Sequence, residues 1–309
     1  MASRRKNVPE NFVGFEGRTV EQRRLALRKK VRIFYDLQRL RMQVEGRTTE
    51  KAKGAEIQLH AGDIQILGAR SLEMETAEKN ALKDIEDHLK ETPFYVSVLS
   101  DKTVYRGIGP TMAGVILSEF DINRADTVSD FWKYAGLAPI PAMRCKACQA
   151  LVKSEDSDGA ISYSHRGALT EKKCTVKQLT SEQLFESGES MRPTKGEKLP
   201  YNAFLKMKLI GVLAPVLLKV SSPWTKQYYD YKHRKQTQNW GMSDGHRHNA
   251  AMRYMIKIML MKIHLDWRNF ENLPIRASYH EEKQGGHGYS NNNSPGDITK
   301  DIEESVVVV

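Results

Sequence analysis

Apolar residues recur at intervals of three and four along several blocks of this chain, the spacing of helices with one buried face. Leu27, Val31 and Phe34, with Ile33, Leu37, Leu40 and Val44, predict a helix to about Glu45, and the Thr19 to Gln22 spacing suits a capping box at its start. Ile57, Ile64, Leu67, Leu82, Ile85 and Leu89 predict a second helix over about 49–91, weakened at Gly54, Gly62 and Gly68 and stopped by Pro93. The two stripes need each other and predict an antiparallel hairpin. Tyr201 to Val220, carrying Leu205, Leu209, Leu213 and Leu217, reads as a core helix kinked by Pro215, with Lys206 and Lys208 outward. In the last helix, Met252, Met255, Ile256, Met259, Leu260 and Ile263 belong to the core, with Arg253, Lys257 and Lys262 on a basic side. The expected fold is mainly α: a helical hairpin, then a helical domain containing a helix-hairpin-helix, interrupted by a small cysteine-bearing insertion. The expected divisions are a flexible basic arm 1–17, the long-helix hairpin 18–92, the helix-hairpin-helix 93–139, the cysteine-containing insertion and loop 140–198, the C-terminal helices 199–274 and a disordered tail 275–309.

Charge adds a partner class. The formal net charge is +10, which favours a polyanion, with solubility as the competing explanation. From Arg18 to Arg41 nine Lys or Arg face only Glu21 and Asp36, either a solvated helix face or a nucleic-acid contact. The segment 224–235 interleaves Trp224, Tyr228, Tyr229 and Tyr231 with Lys226, Lys232, His233, Arg234 and Lys235, a mixture that suits phosphates and bases or, for the tyrosines, plain packing. No apolar run reaches the length of a bilayer span, and no apolar signal segment follows MASRRKN, so a soluble intracellular protein is expected.

The run Gly107-Ile108-Gly109-Pro110 opens an apolar helix. Glycines let the turn lie against a phosphate, Pro110 suits the first helical position, and the helix presents its positive end to the same anion. Gly107, Ile108, Gly109 and Thr111 are the candidate grip, against the plainer reading of a glycine turn between packed helices. GIGPTMAGVILSEF, the pair Phe131 and Trp132, then KYAGLAP, GEKLPYNAFLKMKL, WTKQYYDYKHRK and HRHNAAMRYMIKIMLMKIHLDWR follow in order. Over about 93–285 they resemble the C-terminal domain of insertion-sequence transposases of the IS one-ten/one-sixteen/nine-oh-two family.

That resemblance implies DNA transposition by transesterification of phosphodiesters, with DNA, a structured guide RNA and further copies of the chain as partners, in a prokaryotic cytoplasm at the nucleoid. It implies a serine nucleophile in a Glu-Ser-Gly context, which here is Ser187, followed by Arg192 and Lys195 to neutralise phosphate. Lys232 and Arg234 join the DNA contacts. The family's other half-site, a RuvC-like domain holding Mg ions with acids, has no counterpart in the residues before Gly107, which read as helices. Either a separate polypeptide supplies it, or the chain binds DNA or RNA as a non-catalytic accessory.

Three cysteines lie in the insertion, an odd number that argues against a secreted disulfide framework. Cys145 and Cys148 form a CxxC, with His165 and Cys174 further on, four residues of the types that hold structural zinc. The alternative is free thiols in a reducing compartment. A third function class, a zinc-stabilised protein-interaction module, stands on this segment alone.

Overall fold

The computed structural model describes residues 17–48, 60–148, 150–157, 160–166, 174–176, 179–190, 196, 198–237 and 243–276. Most of the expected arm and tail, and the start of the second expected helix with Gly54 and Ile57, lie outside these residues. The chain is mainly helical with one small antiparallel sheet, and it divides into two units: 1–131 with 204–309, and 132–203.

In the helical unit, α1 (Val20–Thr48) begins at the expected capping box: the Thr19 N–H donates to Gln22 Oε1 at 2.9 Å and the Gln22 N–H to Thr19 Oγ1 at 3.2 Å. The helix α2 (Ala61–Lys90) starts on His60, whose Nδ1 accepts the Gly62 N–H, and ends before Pro93. The two run antiparallel, for Lys30 meets the Asp84 carbonyl near one end while Gln38 and Arg41 both meet Glu78 further along. Leu27, Val31 and Phe34 of α1 are buried, as are Ile85 and Leu89 of α2, but Ile33 and Leu40 are exposed. A stripe of seven apolar residues is wider than one helix–helix seam, so the flank stays outside.

The apolar helix α3 (Pro110–Glu119) packs on both members of the hairpin. Gly114 permits the approach, since a Cβ there would sit 3.0 Å from Ile85 Cγ2 and 3.1 Å from Val31 Cγ2. At its end Glu119 is buried, with Arg32 at 2.7 Å and Arg28 at 3.4 Å.

After α4 (Val128–Tyr134) and the sheet unit, α5 (Ala203–Met207), a π-helical stretch (Lys208–Leu213) and α6 (Ala214–Lys219) form the third apolar block. Pro215 has no N–H and its ring crowds the carbonyl four residues back, and the wider π turn immediately before it absorbs both defects. The expected kink is therefore a local change of helix type. Lys208, expected outward, is buried with its Nζ 3.2 Å from the centre of the Tyr35 ring. The last helices are α7 (Thr225–Thr237) and α8 (Asp244–Phe270). All six expected core residues of α8 are buried, each contributing about 1.5–3 kcal/mol of apolar transfer. Arg268, almost fully buried, donates to the carbonyls of Ala125 at 2.7 Å and Pro274 at 2.7 Å, tying α8 to the turn before α4.

The second unit corresponds to the expected insertion and is built on β-structure. Strands β1 (Pro139–Cys145), β2 (Leu151–Ser157), β3 (Ala160–His165) and β4 (Leu184–Ser190) form an antiparallel sheet in the order β3-β2-β1-β4. Its core is small: Cys145, Val152, Cys174 and Leu184, with Met143, Tyr163, Val176 and Leu179 against it.

Candidate functional site

The sheet's register gathers the cysteines and the histidine at one end. β1 runs to Cys145, the turn after it carries Cys148, and the Cys145 N–H donates to the Ala150 carbonyl at 3.0 Å, closing the hairpin into β2. β2 leads away and β3 returns, so that Val152 pairs with Met143 on one side and His165 on the other. Cys145 and His165, each the last residue of its strand, thus end near one another despite their separation in sequence. Cys174 comes from the segment after β3. The Cys145 and Cys174 sulfurs lie 3.9 Å apart, Cys148 Sγ is 3.4 Å from His165 Nε2, and all four ligand atoms fall within 4.8 Å of one another. Cys145, His165 and Cys174 are buried and Cys148 is the most open of the four.

This Cys3His cluster could hold a metal ion. Its electrostatics favour a thiolate at the inner position. Burial raises the Cys145 thiol, but the N–H groups of Cys148 and Ala147 and the His165 ring outweigh it and bring the group down to about 7. Burial also raises Cys148, and the Cys174 and Cys145 sulfurs beside it help push that thiol up to about 11. Main-chain N–H groups aimed at a cysteine sulfur are the outer support that metal-binding turns use to hold negative charge.

The phosphate-grip candidates divide between packing and exposure. Gly107 has a φ of +95°, and a Cβ there would lie 2.9 Å from Leu217 Cδ2, so its glycine is required by α6. Ile108 is fully buried, and Lys102 donates to its carbonyl at 2.8 Å. Gly109 caps α3 with no side-chain cap, and a Cβ there would meet nothing within 4 Å. The first intrahelical bond runs from the Ala113 N–H to the Gly109 carbonyl, so the N–H groups of Thr111 and Met112 precede the helix's own ladder. The partly exposed part of the motif runs from Gly109 to Thr111, and Met112 is buried.

Ser187 lies within β4, opposite Ala142 of β1. Arg192 and Lys195 fall outside the described residues. Lys232 lies 5.8 Å from the Tyr228 ring centre and Arg234 is exposed, 4.9 Å from that of Tyr231. Trp224 and Tyr228 are buried and Tyr231 stacks on Tyr254, which leaves Tyr229 as the open ring of that segment. The basic face of α1 is largely used within the chain: Arg24 pairs with Glu21 and Asp121, Arg28 and Arg32 with Glu119, Arg39 with Asp36, and Arg41 with Glu78 and Glu45.

Sequence reasoning named the four candidate ligands but missed the strands that bring them together. The short alternations in Pro139–Cys145 and Ala160–His165 were the available signal. Comparison with known protein families, with curated proteins and with solved structures finds no match. No helix among the described residues is long and apolar enough to cross a membrane.

Proposed function

We propose that this chain is a DNA-binding protein of the transposase or recombinase class, with its sheet unit held by a structural zinc ion. The DNA reading is carried by the hairpin ahead of α3, where an uncapped helix start and an open Gly109 offer main-chain N–H groups and a positive helix end to a phosphate. The order of sequence motifs through the last helix, resembling the transposase domain, extends it from DNA binding to transposition.

The zinc reading rests on distances. Tetrahedral zinc with bonds of about 2.3 Å to sulfur and 2.0–2.1 Å to nitrogen requires sulfur–sulfur edges of about 3.8 Å and sulfur–nitrogen edges of about 3.5 Å. Two of the six edges in the chain are 3.9 Å and 3.4 Å, and all four ligand atoms lie within 4.8 Å of one another. Cys145, Cys148, His165 and Cys174 would be its ligands, and the ion would supply folding energy to a unit whose apolar core is small.

In this reading the Ser187 hydroxyl gives up its proton and attacks a backbone phosphorus, forming a serine–phosphate ester as the P–O bond to one sugar oxygen breaks and that oxygen leaves as a protonated hydroxyl; Arg192, Lys195, Lys232 and Arg234 neutralise phosphates, and Mg enters only through a RuvC-like partner. Guide RNA, further copies of the chain and a place at the prokaryotic nucleoid belong to the same proposal. The second reading is a non-catalytic accessory binder with the same hairpin. Affinity for a DNA duplex should fall steeply between low and physiological salt, and a flat response refutes DNA binding. Trapping a covalent protein–DNA adduct separates the two readings, and a Ser187→Ala variant that forms it as readily as the parent removes the serine. Elemental analysis should give about one zinc per chain, and less than about half refutes the metal assignment.

A further inference from the structure

We propose that a cation cluster on the C-terminal helices, formed by Lys206, Arg234, Lys235, Arg253 and Lys257, is a docking site for the phosphodiester backbone of a nucleic acid. The inference rests on the nucleic-acid reading above and adds to it a second contact surface, separate from the hairpin. Between Glu197 and Asp266 the chain carries twelve Lys or Arg and only two acids, Asp230 and Asp244, so this stretch matches the whole chain's formal net charge of +10. Folding then concentrates that charge. Tyr231 of α7 and Tyr254 of α8 stack with ring centres 4.5 Å apart and planes at 22°, pinning the two helices together. Arg234 lies over both rings, at 4.9 Å and 5.6 Å, and Lys235 Nζ is 5.4 Å from Tyr231. Arg253 precedes Tyr254 directly, and Lys257 follows Arg253 by one helical turn on the same side.

Like charges face each other in this cluster. Lys206 is shifted downward by burial and then by the charge of Arg253, and Lys235 by burial and then by Arg234. Burial lowers Arg253, and it takes Lys257 down to about 8. Drawing cations together and half-burying them costs free energy, which an anion laid across them returns. The kind of anion follows from the rings. Tyr231 and Tyr254 stack on each other with Arg234 and Lys235 against them, so their contacts hold cationic stems in place. Recognition is therefore of phosphate and independent of sequence.

Anisotropy titrations of the full chain with a labelled DNA duplex and a labelled RNA strand of equal length test the site. In Arg253→Gln/Lys257→Gln the slope of log affinity against log salt should shrink by about two on DNA, with affinity lower by roughly tenfold or more at 0.1 M salt. RNA should show a parallel loss. Lys90→Gln on α2 should leave both unchanged. If the double variant misfolds by circular dichroism, Arg234→Gln/Lys235→Gln at the exposed end of α7 should show the same loss of slope. Parent affinity and slope in the folded variants overturn the cluster while leaving DNA binding standing. A loss confined to one nucleic acid overturns backbone recognition, and a parent that binds neither overturns both proposals.

Discussion

Gly107→Ala separates a packing glycine from a binding one. The residue's φ of +95° lies beyond the region where a side chain is tolerated, and left-handed backbone costs an L-residue about 1–2 kcal/mol. The added methyl would stand 2.9 Å from Leu217 Cδ2 and 3.1 Å from Val220 Cγ2, inside normal carbon contact. Relieving it must move α6 or the hairpin, and overpacking of this kind costs about 1–3 kcal/mol. The total is about 2–5 kcal/mol, which for a chain of this size lowers the helical melting temperature by roughly 3–8 °C. Thermal melts followed at 222 nm read it directly. Leu217→Ala removes the nearer obstacle and leaves the Val220 contact, so in that background the same substitution should cost measurably less than in the parent, a coupling that a double-mutant cycle isolates. Gly109→Ala is the contrast: its φ is −80° with open space at Cβ, so stability should change by less than about 1 kcal/mol while DNA affinity falls. A Gly107→Ala protein as stable as the parent refutes the packing argument.

Three further outcomes follow from the geometry. Glu119→Ala leaves the partly exposed Arg28 and Arg32 facing a site that held a buried carboxylate and should cost about 1–3 kcal/mol in urea unfolding; a cost below about 0.5 kcal/mol would show that the pair contributes little. His88 is held near 4 by burial first and then by the charges of Lys30, Arg18 and Arg23. The unfolded chain therefore binds a proton that the folded chain refuses, so the stability of this neutral histidine is complete above about pH 6.5 and declines as pH falls toward 4. His88→Gln should flatten the stability–pH curve across that window, and an unchanged curve would contradict the assignment. Chelation of zinc-loaded protein should abolish protection of the β1–β2 amides in hydrogen exchange while α1 and α2 keep theirs; uniform loss or no loss would contradict a metal confined to the sheet unit.

Local signals sufficed wherever an element was decided within a few turns of chain. The capping box at Thr19 and Gln22, the stop before Pro93, the core face of α8 and the four residues of the Cys3His cluster were all readable from spacing. The sheet was not, because its strands have six or seven residues, carry many polar side chains and are stabilised by partners far along the chain. The same limit applies to charge. Nine cations on α1 looked like one surface, yet Arg28 and Arg32 are claimed by a carboxylate on α3 that no periodicity could bring to them.

Sequence alone determined the helical class of the chain, where α1 starts and α2 stops, and which residues could ligate a metal, because these depend on backbone preferences and on chemistry carried by each side chain. Tertiary structure decided what several of those residues do. It made Gly107 a contact for Leu217, buried Lys208 over Tyr35, kept Tyr231 for Tyr254, and set Arg234 over both of those rings. Each outcome depends on which surfaces meet when helices distant in sequence pack, and local spacing does not encode those meetings.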